Sequence, residues 1–253
     1  MNFSVIIPAR ISSTRFPGKI LYEIKGLPMI EHVRRRALMS LYVQDVIVAT
    51  CDEEIQSIVK SFNGNVIMTS ANHKNGTQRI SEASKQINSD YVILLQGDEP
   101  CIFPSMIDDL IKEITTENRS FYNAVCPIND KKVLYDKSSV KCAVDSNSII
   151  QNCFRISPYT SSFLSQKKFI FKMLGLMAFE NNLLKKIDKL PLSNLAQLES
   201  IEQLNLLYNN IILKPFLVEN DPPSVNYKKD LDSVFIEFNK KKQKDLLTQS
   251  LKI

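Results

Sequence analysis

Residues 3–19 read FSVIIPARISSTRFPGK. The first seven are apolar apart from Ser4, a run of strand length with no wet face, which reads as a buried β-strand. The next ten have another character. Arg10, Arg15 and Lys19 bring fixed positive charge, Ser12, Ser13 and Thr14 bring hydroxyls, and Gly18 lets backbone come close to a ligand. Arginine grips phosphate oxygens in pairs and lysine supplies a mobile point charge, so this strand exit suits a triphosphate. Taken alone it is also what a solvated basic turn looks like.

The pattern continues outward. PMIEHVRRRALMSL (28–41) has helical apolar spacing, and DVIVAT (45–50) is a second strand. DEEIQSIVKSF (52–62) follows with Asp52 as the expected N-cap, then NVIMTS (65–70), GTQRISEASKQI (76–87) and YVILLQ (91–96). Four β-α units with continuously apolar strands predict an α/β fold: a mostly parallel sheet flanked by helices. Such sheets bind ligands beyond the carboxyl ends of their strands. The chemistry-bearing residues lie there: the basic loop after the first strand, SANHKNGTQR (70–79) after the third, QGDEP (96–100) after the fourth. Asp98 and Glu99 end an apolar strand, where an unpaired carboxylate is costly. A magnesium ion bridging Asp98 to phosphate oxygens relieves that cost, and a strand-ending turn capped by Asp98 is the plainer alternative. In HKNGTQR a glycine, a hydroxyl, an amide and Arg79 offer groups for a base or ribose. Neither GxGxxG nor GxxxxGK[ST] is present.

Beyond residue 118 the texture changes. NAVCPI (123–128), SSVKCAVD (138–145), SIIQNCF (148–154), FKMLGLMAF (171–179) and ILKPFLVE (212–219) read as short strands, and NLAQLESIEQLNLLYNN (194–210) as one amphipathic helix. This predicts a smaller mixed α/β extension that completes the sheet. The expected organisation is a single domain over 1–253, with a first half (1–118) that holds the phosphate-binding loop and a second half (119–253) that supplies a lid or dimer surface.

Composition narrows the partners. The 253 residues are 44% hydrophobic and 23% charged, ordinary for a globular protein, and the net charge of +5 favours anionic partners. No apolar run is long enough to cross a bilayer and the N-terminus shows no secretory signal, so no membrane insertion and a cytoplasmic location are expected. Five cysteines, odd in number and without CxxC spacing, read as buried thiols in a reducing compartment. The lysine run in NKKKQKDLLTQSLKI (239–253) reads as a solvated helix face or frayed tail, not a nucleic-acid site.

In this order and spacing, IIPARISSTRFPGK, HKNGTQR and QGDEP resemble the motifs of the 3-deoxy-manno-octulosonate (Kdo) cytidylyltransferases, whose pattern is close to IPARxxSTRxPGKxL, HxSGTER and QGDEP. SSVKCAVDSNSIIQNCFR and LPLSNLAQLESIEQL extend the likeness more weakly. The resemblance implies a sugar-nucleotidyltransferase fold and transfer of CMP from CTP to an acidic sugar, most simply Kdo for lipopolysaccharide. It implies nucleotide contacts from Ala9, Arg10, Ser13, Arg15, Lys19, Gly76, Thr77 and Gln96, with Arg10, Lys19 and Asp98 catalytic. It further implies Mg²⁺ on Asp98, sugar contacts from Arg155, Glu202 and Gln203, and a homodimer. Departures cluster in the second half. Met173 and Met177 stand for a histidine and a tyrosine, Ala196 for a glutamate, Asn205 for an arginine and Gln78 for a glutamate. SVNYKKDL stands for GVDTPEDL, so Asn226 occupies the place of a metal-binding aspartate. These differences leave open a weaker metal ligand at Asn226, another ulosonic acid (8-amino-Kdo or a nonulosonic acid), or a weakly active nucleotide-binding paralogue.

Overall fold

A computed structural model describes residues 1–253. Its strands are β1 (Phe3–Ala9), β2 (Glu23–Ile24), β3 (Leu27–Pro28), β4 (Asp45–Thr50), β5 (Asn65–Met68), β6 (Tyr91–Leu95), β7 (Phe121–Pro127), β8 (Lys141–Val144), β9 (Ile150–Phe154), β10 (Ile170–Glu180) and β11 (Lys214–Leu217). Its helices are α1 (Met29–Leu38), α2 (Glu53–Ser61), α3 (Gly76–Ser84), α4 (Pro104–Glu117), α5 (Phe163–Gln166), α6 (Asn181–Leu184), α7 (Asn194–Glu199), α8 (Glu202–Tyr208), α9 (Leu231–Phe238) and α10 (Lys241–Ser250).

One nine-stranded sheet has the order β11-β7-β10-β6-β1-β4-β5, with β8 paired to β10 and β9 paired to β8. β1 is parallel to β4 and to β6, β4 to β5, and β11 to β7. β10 alone reverses direction between β6 and β7. The chain leaves β1 toward β4 and β5 on one side, then crosses to β6 on the other. The crevice of this doubly wound sheet therefore opens where β1 and β6 part. The apolar strands bury both faces, as a covered parallel sheet requires. Val5, Ile7, Ile93 and Leu95 join the large core with α1 and α4, while Ile6, Val92 and Leu94 join the core under α3 and α8.

One sequence expectation is overturned and two are sharpened. Residues 194–210 form two helices, because Ser200 takes a left-handed conformation (φ 53°) that no α-helix continues through. Asp52 is the N-cap residue of α2, as expected, but its side chain makes no cap bond; its Oδ2 instead accepts from Ile11 N at 2.8 Å. The lysine run takes the first of its two readings, a solvated helix face: Lys241, Lys242 and Lys244 are exposed on α10, which packs on α1 with Gln243 and Ser250 buried. All five cysteines are free thiols and only Cys51 has partial exposure. No helix is long and apolar enough to cross a membrane.

Candidate active site

The basic loop is shaped by its own backbone. Ile11 O accepts from Ser13 N at 2.9 Å and from Gly18 N at 3.1 Å, closing the loop into a compact turn. Gly18 sits at φ 69°, where a side chain would be strained. Ser13 Oγ accepts from Phe16 N at 3.4 Å, and the bond from Ile11 N ties the loop to the end of β4. Ala9 is buried at the end of β1, and Arg10 and Arg15 project into solvent. The Arg15 guanidinium lies 5.7 Å from the Tyr227 ring centroid, which joins this loop to the residue after Asn226.

Across the crevice, the turn after β6 carries Asp98. Lys19 Nζ donates to Asp98 Oδ2 at 2.5 Å and to Val225 O at 2.7 Å. Val225 N donates to Asp98 O at 2.9 Å, so the first loop, the acidic turn and the segment before Asn226 meet at one ammonium. The pair is part-buried, with side-chain exposures of 12% for Lys19 and 23% for Asp98, so a ligand can reach it. Glu99 points the other way. Burial, with the Asp98 charge beside it, pushes its carboxyl up to about 8. Gly175 on β10 makes this packing possible, because a Cβ there would lie 2.6 Å from Glu99 Oε1 and 2.9 Å from Gln96 Cβ. Gln96 N also donates to Gly175 O at 2.8 Å. Gly175→Ala is expected to displace Gln96 or Glu99 and to destabilise the protein by about 1–3 kcal/mol, read from thermal unfolding.

The floor of the crevice joins both halves of the chain. A Cβ on Gly76 would meet Pro8 Cγ at 3.1 Å and Gln96 Nε2 at 3.4 Å, so Gly76 lies between the ends of β1 and β6. Asn75 caps α3 through Gln78 N at 2.9 Å, and Gln78 Oε1 accepts from Lys74 N at 3.0 Å. Gln78 thus completes a cap with an amide where a carboxylate is not needed. Thr77 N donates to Glu202 Oε2 at 3.1 Å. Burial raises the Glu202 carboxyl, while hydrogen bonds from Thr77 and Gly76 and the nearby Arg10 charge oppose that rise. Glu202 therefore sits on the nucleotide-side loop, at the positive end of α3. The sequence grouped Arg79 with base or ribose contacts, but it turns into the core. It donates to Thr69 Oγ1 at 2.6 Å and to Cys51 Sγ at 3.5 Å, because the helical period carries residue 79 away from the crevice.

The other second-half residues are spread more widely. Arg155 donates to the carbonyls of Glu199, Ser200 and Lys137 at 2.9–3.0 Å, binding the break between α7 and α8 to the loop before β8. Gln203 is buried; its Nε2 donates to Asn123 Oδ1 at 2.8 Å and to Met177 Sδ at 3.3 Å. Met173 and Met177 are core residues. Asn205 Oδ1 accepts from Ser193 N at 2.8 Å, and Ala196 packs on the same core. Asn226 is half-buried, and its N–H and that of Tyr227 both donate to Asp230 Oδ2 at 2.8 Å. Asp230, the Val225 carbonyl and Asp52 as a loop tether are site residues that the sequence reading did not find. Only Asp230 left a signal, an acidic residue at capping distance from Asn226 and Tyr227.

The fold of the 4-diphosphocytidyl-2C-methyl-D-erythritol synthase of Anaerococcus prevotii matches with a TM-score of 0.62 at 12% identity, over 93% of this chain and 98% of that one. A mixed sheet whose switch point joins a basic loop to a strand-end carboxylate is the nucleotidyltransferase architecture. At the level of sequence, the family model described as Cytidylyltransferase matches residues 4–219. The 3-deoxy-manno-octulosonate cytidylyltransferase of Thermodesulfovibrio yellowstonii is 38% identical over 90% of this chain and 94% of its own. The 8-amino-3,8-dideoxy-manno-octulosonate cytidylyltransferase of Shewanella halifaxensis is 37% identical over 91% and 96%. A CMP:2-keto-3-deoxy-manno-octonic acid synthetase solved in complex with CTP matches with a TM-score of 0.85 at 33% identity, covering 92% of this chain and 97% of that one. The chain belongs to the cytidylyltransferase family.

Proposed function

We propose that this protein transfers CMP from CTP to a 3-deoxy-2-keto sugar acid, Kdo in the first instance, and releases pyrophosphate. The observation that carries the reading is the Lys19–Asp98 contact at the switch point, which sets cation and carboxylate on the two walls of one crevice. In the reaction the sugar's anomeric hydroxyl oxygen forms a bond to the α-phosphorus of CTP. The bond from that phosphorus to the bridging oxygen breaks, pyrophosphate leaves with the electron pair, and the hydroxyl proton passes to solvent. In-line transfer of this kind asks a protein for positioning and charge neutralisation. Arg10, Arg15 and Lys19, with the Ser13 region, hold the triphosphate. Gly76, Thr77 and Gln96 face the base and ribose, with Ala9 beneath them. The second half, from residue 119, receives the sugar through Glu202, with Arg155 and Gln203 shaping its wall.

The donors at Asp98 fit a magnesium ion. Lys19 takes one carboxylate oxygen and leaves the other, and Asn226 follows directly on the Val225 carbonyl that shares the same ammonium. One carboxylate with an amide oxygen suits Mg²⁺, which completes its shell with substrate phosphates and water. Bound there, the ion would neutralise charge on the triphosphate. A cytoplasmic homodimer supplying CMP-Kdo to lipopolysaccharide synthesis completes the reading.

Incubation with CTP, Mg²⁺ and a panel of sugar acids, followed by pyrophosphate release, tests it. Turnover with Kdo is the expected result, and CTP binding without pyrophosphate from any acid would overturn it. The near-equal likeness to the Kdo and 8-amino-Kdo enzymes makes 8-amino-Kdo the second acid to try. Lys19→Ala is expected to raise the KM for CTP by about ten-fold or more, the loss of one charge-assisted contact. Asn226→Asp is expected to lower the Mg²⁺ concentration needed for half-maximal rate.

A further inference from the structure

Two carbonyls directly after the acidic turn are held from behind by side chains of two distant helices. Gln243 Nε2 on α10 donates to Cys101 O at 2.7 Å, and Arg36 Nη1 on α1 donates to Ile102 O at 3.0 Å. Both residues are fully buried, as is His32 one turn before Arg36. The His32 ring lies 5.2 Å from the Phe238 ring and the Arg36 guanidinium 5.3 Å from it, and the adjacent Cys101 and Ile102 carbonyls bring Gln243 next to Arg36. α10 lies beyond residue 219, where the family match ends, and Gln243 interrupts its lysine run.

Four polar atoms of these residues have no protein partner: His32 Nδ1, Arg36 Nε, Arg36 Nη2 and Gln243 Oε1. Each orphan costs about 1–3 kcal/mol if left dry. They include both donors and acceptors. His32 Nε2 faces Ile24 O at 2.6 Å, and a carbonyl only accepts, so Nε2 carries the proton. Burial drives the His32 pKa down to about 4 and keeps the ring neutral, which makes Nδ1 an acceptor. The Gln243 oxygen is a second acceptor, and Arg36 Nε and Nη2 carry three N–H donors between them. One water satisfies both acceptors by donating to them and accepts from two of these N–H groups. An anion would gain from the guanidinium but meet two lone pairs. Glu237, the carboxylate whose field reaches Arg36, is already paired with Lys240 at 2.5 Å.

We infer that α1 and α10 enclose an internal water between His32, Arg36 and Gln243, and that Arg36 and Gln243 thereby act as positioning residues for the turn bearing Asp98. The functional half of this inference rests on the transfer reaction proposed above. A high-resolution crystal structure of the full chain is expected to show solvent density within hydrogen-bond reach of Arg36 Nη2 and Gln243 Oε1. An anomalous bromide peak there after soaking, or Arg36 bonded directly to Gln243 or Glu237, would overturn it. Gln243→Met keeps the volume and removes both polar atoms. It is expected to lower kcat about ten-fold, with the KM for CTP changed less than about two-fold. Amide exchange should accelerate at Glu99 and Ile102, whose N–H groups close the turn, and not across the central strands. Arg36→Lys is the second variant, with the same expected exchange pattern; exchange at the turn unchanged in either folded variant overturns the positioning role. The exchange and density readouts need no sugar acid, so they stand even if the transfer reaction is not found.

Discussion

Asp98→Asn lowers kcat by a factor of at least about 10², the loss typical when one charged element of a preorganised site is removed. Its carboxylate is the anionic wall of the crevice, held by the Lys19 ammonium and braced through its own carbonyl by Val225 N. The amide keeps the shape and the backbone bond, so the turn stays in place. What goes is the charge that balances Lys19 and that, in the proposed reaction, would hold the magnesium ion. Lys19 keeps its bond to Val225 O and remains available to the triphosphate. The KM for CTP therefore moves much less than kcat, the signature of an interaction made in the transition state. Thermal unfolding changes little, because a partly exposed ion pair contributes on the order of 1 kcal/mol or less to stability. Steady-state kinetics at saturating CTP and Mg²⁺ provide the check. A kcat within about five-fold of wild type would remove Asp98 from the catalytic machinery.

The first hundred residues were the legible ones, for a physical reason. Parallel strands buried on both faces are continuously apolar, and ligand groups follow each strand end, so FSVIIPA–ARISSTR and YVILLQ–GDEP announce sheet and site together. Past residue 118 the contacts are long-range, and local pattern carries less. The left-handed Ser200 that breaks residues 194–210 has no glycine to announce it. Asp52 reads as a cap by position, yet its partner Ile11 lies 41 residues away. Arg155, Gln203 and Arg79 are polar residues whose donors serve neighbouring backbone or core groups, which spacing cannot reveal. HVRRRAL has the helical period but not the solvated face it suggests, since Glu31 through Ala37 are all buried. That helix carries a buried ion network with a large expected effect on stability.

Glu31→Ala destabilises the fold by about 3–5 kcal/mol, the cost of removing one partner from a buried charge network. Glu31 has no exposed surface. Its two oxygens accept from Arg34 Nε and Nη2, both at 2.8 Å, and one of them also accepts from Arg35 Nε at 3.0 Å. The arginines have further work: Arg34 donates to Phe62 O at 3.1 Å and Arg35 to Ser250 O at 3.0 Å, tying α1 to the end of α2 and to the end of α10. Without the carboxylate, two buried guanidinium groups repel each other with no anion between them, left with carbonyls and, for Arg35, the Phe62 ring. For a chain of this size the loss corresponds to a fall in Tm of roughly 6–20 °C. Glu31→Gln keeps an acceptor but not the charge, and should fall between. The converse variant separates charge from packing. Replacing Glu31, Arg34 and Arg35 together by apolar residues of similar volume costs far less than Glu31→Ala, because no ion is left without its partner. Calorimetry on the three proteins decides it: a drop of less than about 3 °C in Glu31→Ala would mean that the arginines swing out to water, and that this network does not hold α1 to its neighbours.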